Sequence, residues 1–210
     1  MKTVSIYSVI AALALASSAS SFAADMARFK ATPGSKMKID GTSSIHDWTV
    51  ESGIVGGAME LDSEFVANPP AAKPGKVAAK ADVTILVRSL KSGTKAMDDR
   101  MYVAFKQPQF PKIEYHLTEL TLKETPTSAN GPFSFDSTGD LIVSGVTNKV
   151  SFPVTMTRTD KSMKTTGMTK VKMTSFGITP PALDLAVVKI RTGDDVTLGF
   201  DWLTTASDAK

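Results

Sequence analysis

Apolar and polar residues alternate singly along one segment after another of this chain, a period that only an extended strand with one dry and one wet face can use. Across 77–87 the odd positions are Val77, Ala79, Ala81, Val83, Ile85 and Val87, and the even ones include Lys80, Asp82, Thr84 and Arg88. Ile113, Tyr115 and Leu117 alternate with Glu114, His116 and Thr118, after which the apolar phase slips to Leu120 and Leu122. A β-bulge at Thr118 or Glu119 accounts for the slip. Val150, Phe152, Val154 and Met156 repeat the pattern, as do Val196, Leu198, Phe200 and Trp202. Weaker strands are expected at 37–40, 42–50, 55–61, 139–143 and 166–174. Residues 139–157 read as one hairpin turning at Gly145-Val146-Thr147-Asn148. Many one-sided strands in one chain must cover their dry faces and protect their edges, which predicts an all-β sandwich or barrel.

One segment departs from period 2. Met97, Met101 and Phe105 recur every four residues, with Asp98, Asp99 and Arg100 off that stripe, so 94–105 reads as a short amphipathic helix. Ser92 or Thr94 serves as its N-cap, and Pro108 and Pro111 prevent its continuation. The stretches 68–75 and 124–132 read as loops between strands. A third irregular region, 177–195, carries Pro180-Pro181 and the apolar cluster Leu183, Leu185, Val187 and Val188.

The first two dozen residues have a different layout. Lys2 precedes an apolar run from Val4 to Ala16, and Ser21-Phe22-Ala23 places small residues where a signal peptidase needs them. Residues 1–23 are therefore expected to be an export signal cleaved after Ala23, and 24–210 one domain working in the periplasm. The apolar run is shorter than the roughly 20 residues that span a bilayer. There is no Cys, so neither a disulfide nor an N-terminal lipid-modified cysteine can form. A domain of this size buries enough core to stand without disulfides.

The inventory restricts chemistry. With no Cys and only His46 and His116, no thiolate is available as a soft metal ligand or as a nucleophile. No catalytic residue, metal site or cofactor is expected, and the chain is not read as an enzyme. His116 lies on the wet face of its strand. In Ser43-Ser44-Ile45-His46-Asp47-Trp48, a regular strand would put His46 on one face with Ser44 and Trp48, and Asp47 on the other, which is wrong for a triad. The imidazole of His46 is then either buried against a backbone carbonyl or turned to a ligand. Gly53-Ile54-Val55-Gly56-Gly57 does not link a strand to a helix and fails as a dinucleotide loop. The 24 basic and 21 acidic residues are interspersed, without the clustering that nucleic-acid binding needs.

Four stretches together resemble the YceI-like family of lipocalin-type barrels, whose name is tied to polyisoprenoid binding. They are Gly41-Thr42-Ser43-Ser44-Ile45-His46-Asp47-Trp48; Ser89-Leu90-Lys91-Ser92-Gly93 with Met97-Asp98-Asp99-Arg100-Met101 and Phe110-Pro111-Lys112-Ile113; 139–150, similar to "G-x-L-x-I-x-G-V-T"; and Ser175-Phe176-Gly177-Ile178 with Gly193-Asp194-Asp195-Val196. The matches run in order over about 36–202. The resemblance implies an antiparallel lipocalin-like barrel of about eight strands around an apolar cavity, crossed or lidded by helix, that shelters an isoprenoid or fatty-acyl lipid. On this view the wall comprises Val83, Ile85, Ile113, Tyr115, Val154, Met156, Leu198 and Phe200. The helix adds Met97, Met101 and Phe105, and His46, Trp48 or Tyr115 meets a polar head group. The chain lacks the family's commoner "H-S-x-V-x-F" strand with a second histidine soon after, which bears on head-group contacts and not on the barrel. Transient contact with a membrane and pairing with a second copy stay open at this stage. The competing expectation is a non-catalytic envelope stress or interaction protein whose barrel core is filled.

Overall fold

In the computed structural model, which describes residues 25–184 and 189–207, the alternating segments form one antiparallel sheet closed on itself. The strands are β1 (Met26–Ala31), β2 (Lys36–Ser43), β3 (Trp48–Ser52), β4 (Gly56–Asp62), β5 (Gly75–Lys76), β6 (Ala79–Leu86), β7 (Lys112–Leu122), β8 (Phe133–Val143), β9 (Val146–Thr159), β10 (Ser162–Lys172), β11 (Ala182–Asp184) and β12 (Lys189–Ala206). Two helices interrupt them, α1 (Ser63–Ala67) and α2 (Lys95–Ala104).

The barrel has eight staves. β1 and β2 run as one interrupted stave along β12, from Phe29 opposite Ala206 to Ser43 opposite Thr192. β3 and β4 form the next, pairing with β2 and β1 in turn. β6, β7, β8, β9, β10 and β12 follow in chain order, and the contact of β12 with β1 closes the ring. Closure leaves no long free edge. Cross-strand pairs such as Lys164–Asp201 at 3.0 Å and His116–Asp82 at 2.5 Å occupy the outer face.

The antiparallel course defines two ends. At one, here the floor, lie α1 and the connections 123–132 and 160–161; at the other, the mouth, lie the turn 44–47, α2, the turn 144–145 and the segment 173–184. The floor is solid. Phe65 of α1 packs edge-on against Phe133 and Phe135, with ring centroids 5.4 and 5.5 Å apart, and Leu61, Leu122 and Met163 are buried around them. Asp62 starts α1 by accepting hydrogen bonds from the amides of Glu64 and Phe65, and the Arg158 guanidinium donates to the Val66 carbonyl.

The structure corrects several expectations. The bulge in β7 falls between Leu117 and Glu119, as the phase slip requires. The hairpin, however, turns one residue earlier, at Ser144-Gly145, whose φ values of 51° and 79° suit a tight two-residue turn. The strand expected at 42–50 is broken, because the Ser43 hydroxyl captures the amides of Ile45 and His46 and donates to the His46 carbonyl, making a turn at 44–47. Strand β8 begins at Phe133, and β12 begins inside the region taken as irregular. Strand β1 and helix α1 were not anticipated. Each is too short for its own period to register, and α1 exists because Phe65 caps the barrel floor. In α2, Thr94 occupies the N-cap position without a side-chain bond, and Asp98, placed off the apolar stripe, is buried. The export signal at 1–23, and Leu185, Val187 and Val188, lie outside the described residues.

Candidate functional site

Above the aromatic floor the barrel is hollow. A cavity of about 370 Å³ lies within the size range of small-molecule sites, roughly 300–1,000 Å³. Among the described residues its wall is nearly all aliphatic, methionine and aromatic, and Arg100 is the only Lys, Arg, Asp or Glu in it.

The structure brings all thirteen candidate residues to this one lining. Val83 and Ile85 enter from β6, Ile113 and Tyr115 from β7, Val154 and Met156 from β9, and Leu198 and Phe200 from β12. Met97, Met101 and Phe105 come from α2 and its C-cap, and His46 and Trp48 from the turn into β3. His46 is neither buried nor on a strand face with Ser44. It is exposed at the mouth, its Nδ1 2.7 Å from the Asp47 carbonyl. Trp48 donates from Nε1 to the Thr42 carbonyl at 3.0 Å.

Other lining residues come from strands whose inward phase sequence reasoning left unused. Met37 and Ile39 of β2, Val50 of β3 and Met59 of β4 complete the wall on one side, and Ser137, Leu141 and Val143 of β8 on the other. Their alternation was readable, but nothing in it distinguishes a wall from a packed core. Tyr115, Phe152 and Phe200 form an aromatic arc, with centroids 5.6 and 6.0 Å apart in succession. The Phe200 ring lies over Gly167, where any side chain would sit 2.7 Å from it.

Helix α2 is tethered over the mouth. The Asp98 carboxylate accepts from the amide and hydroxyl of Ser92, both at 2.7 Å, and stands 3.7 Å from the Lys91 ammonium. Burial pushes its pKa up, but the Ser92 bonds and the Lys91 charge outweigh this and hold it below the ordinary carboxylate value. Tyr102 donates to the Leu90 carbonyl at 2.9 Å, and Ser144 donates to the Phe105 carbonyl at 3.0 Å.

The remaining motifs brace the same end. Asn148 donates to the Ser175 carbonyl at 2.7 Å. Gly193-Asp194-Asp195 forms a bulge in β12, from which Asp194 accepts the amide and hydroxyl of Thr174 at 2.9 and 2.7 Å. This holds the short helical turn Met173–Phe176, and so Phe176, against the cavity. Among the described residues no group of His, Cys, Asp and Glu could hold a metal ion.

A closed eight-stave antiparallel barrel with a solid floor, an apolar hollow and a helix over its mouth defines a binding barrel of the lipocalin type. The chain belongs to the YceI-like domain family, whose model matches residues 16–202. No curated protein sequence matches it significantly. Among solved structures it is similar to BcnA of Burkholderia cenocepacia, with a TM-score of 0.62 at 18% identity, covering 81% of this chain and 96% of that one. A polyisoprenoid binding domain from Saccharophagus degradans, implicated in plant cell wall breakdown, gives a TM-score of 0.62 at 11% identity, covering 87% and 100%. The YceI protein of Campylobacter jejuni gives 0.53 at 16% identity, covering 76% and 85%. At these identities the likeness is one of fold.

Proposed function

We propose that this protein binds one long-chain isoprenoid or other lipid in its barrel and carries it through the periplasm, without catalysing a reaction. The hollow carries the reading. Protein interiors are close-packed, and an unfilled apolar void forfeits contact energy on the order of several kcal/mol, which a bound chain restores. A barrel serving only as an interaction module has no use for one.

Chain length follows from the energetics. Ten buried methylenes gain about 8 kcal/mol, within the roughly 4–15 kcal/mol lost to restricted motion on association. Short chains are therefore held weakly and long ones well. Met37, Met59, Met97, Met101 and Met156 supply adaptable walls for a flexible chain. Ser43, His46 and Arg100 stand where its outer end emerges. The exposed Ile45 lies at that opening and the exposed Val103 on α2 above it, and they suit brief contact with a membrane surface during loading. The polyisoprenoid-binding neighbour supports the same ligand class.

Mass spectrometry of organic extracts from protein purified natively from the periplasm tests this. A stoichiometric long-chain lipid is expected, together with a melting temperature that rises on adding isoprenoids. Protein that is repeatedly empty and indifferent to them overturns the reading.

A further inference from the structure

Among the described residues, β9 and β10 pair over only the lower part of their length. Their register runs from Thr159 opposite Ser162 to Val154 opposite Gly167 and stops there. Yet β9 continues along β8 to Val146, and β10 along β12 to Lys172. Pro153 explains the stop. Val143 and Val146 flank a two-residue turn and exchange both backbone bonds, so the odd-numbered residues of β9 aim their backbone groups away from β8 and toward β10. The Thr155 carbonyl, which accepts from the Thr166 hydroxyl, has this orientation. The next rung would join Pro153 to Met168, and proline has no N–H to form it. Above that rung a short slit opens in the wall. Near the mouth the Asn148 side chain bridges it by donating to the Ser175 carbonyl.

The slit is apolar from inside to outside. Val150 and Phe152 on one side and Val171 on the other line the cavity and are only half-buried. Ser137, the β8 partner of Phe152, is buried. On the outer surface Pro153 and Met168 are the only apolar residues among those that β9 and β10 turn away from the cavity, Met168 being 63% exposed. Each stands one residue beyond the last pair, at the foot of the slit.

We infer that the slit is a side exit, through which the far end of a ligand chain too long for the hollow leaves the barrel and lies against Met168 and Pro153. A methylene takes about the room of a water molecule, roughly 30 Å³, so about a dozen fill the 370 Å³ hollow. A longer chain whose head stays at the mouth meets the solid floor and must turn aside. The slit gives its surplus methylenes an apolar path. The inference rests on the lipid-binding reading and adds the route of the tail.

The first test needs no ligand. The amides of Ser151 and Lys170 face the slit, and their protection factors should lie far below those of Thr155 and Thr166, which pair with each other. Equal protection means that the strands are zipped, and overturns the slit. The second test photolyses the mature chain with dodecanoic and docosanoic acids carrying a diazirine at the methyl end, delivered from cyclodextrin, and maps the adducts by mass spectrometry. The docosanoic label is expected on 151–153 and 168–170, and the dodecanoic label on the inner wall. A docosanoic label on the turn 44–47, on α2 or on the inner wall overturns the side exit and leaves lipid binding intact. Failure of docosanoic acid to bind overturns both. Met168→Glu, a surface change, should weaken docosanoic acid binding about tenfold, the effect of about two methylenes losing apolar contact, and leave dodecanoic acid binding within about twofold. No effect on either acid, or the same effect on both, also overturns the exit.

Discussion

The phenol oxygen of Tyr115 and the hydroxyl of Ser137 stand 2.6 Å apart on neighbouring strands of the cavity wall. Burial pushes the Tyr115 pKa up; the Ser137 bond pulls against it, and the Asp140 carboxylate adds to the rise. A raised folded-state pKa contributes stability that is present below the unfolded value, about 10, and is lost as pH rises through the folded one. Wild type should therefore lose more stability than Tyr115→Phe between pH 9 and 12, in denaturant titrations at each pH. At neutral pH Tyr115→Phe strands the buried Ser137 hydroxyl and should cost about 1–3 kcal/mol, most of it recovered in Tyr115→Phe/Ser137→Ala.

Phe65 closes the floor through its edge contacts with Phe133 and Phe135. Phe65→Ala should lower stability by about 3–5 kcal/mol and extend the hollow toward the floor. Thermal melts measure the first effect. Uptake of a bulkier apolar probe than wild type accepts measures the second.

Met101 is buried on the inner face of α2, against the cavity. Met101→Trp should fill the space below the helix and abolish lipid uptake, at about 1–3 kcal/mol of stability from overpacking. A folded variant with unchanged uptake would remove α2 from the binding wall.

Gly167 gives the Phe200 ring room to lie flat against the barrel wall. In Gly167→Ala the new methyl forces that ring to tilt inward, since the sheet behind it cannot move as cheaply. Long-chain binding should weaken about tenfold, the result of losing one or two methylenes' worth of space, with the melting temperature little changed. Displacement of a fluorescent fatty-acyl probe measures this.

The Asp98 carboxylate ties α2 to Ser92 and Lys91. Because its folded-state pKa is held below the ordinary value, its contribution is present above pH about 4 and is lost as pH falls through the folded value. Amide protection factors in 95–104, each taken against the intrinsic exchange rate at that pH, should fall on acidification in wild type. In Asp98→Asn they should already be low at pH 7 and change little with acid.

Much of this architecture could be read from residue order. Alternation in β6, β7, β9 and β12 assigned each inward side chain to the correct face, and the phase slip after Leu117 located the bulge, because both are local consequences of a two-residue period. The α2 stripe was legible for the same reason at a period near four. What escaped were elements held by distant partners. Helix α1 exists through Phe65 on Phe133 and Phe135. The turn at 44–47, which moved His46 from a strand face to the exposed mouth, depends on one hydroxyl competing with the strand ladder.

Sequence by itself determined that these strands have one dry face, and so that the chain must close around an interior. Only the tertiary structure decided that this interior is solid at one end and hollow at the other. A packed core and a cavity wall have the same alternation, and they differ only in whether side chains from opposite staves meet. Across the floor they do, at Phe65, Phe133 and Phe135. Above it they do not, and the wall residues of facing strands enclose the hollow.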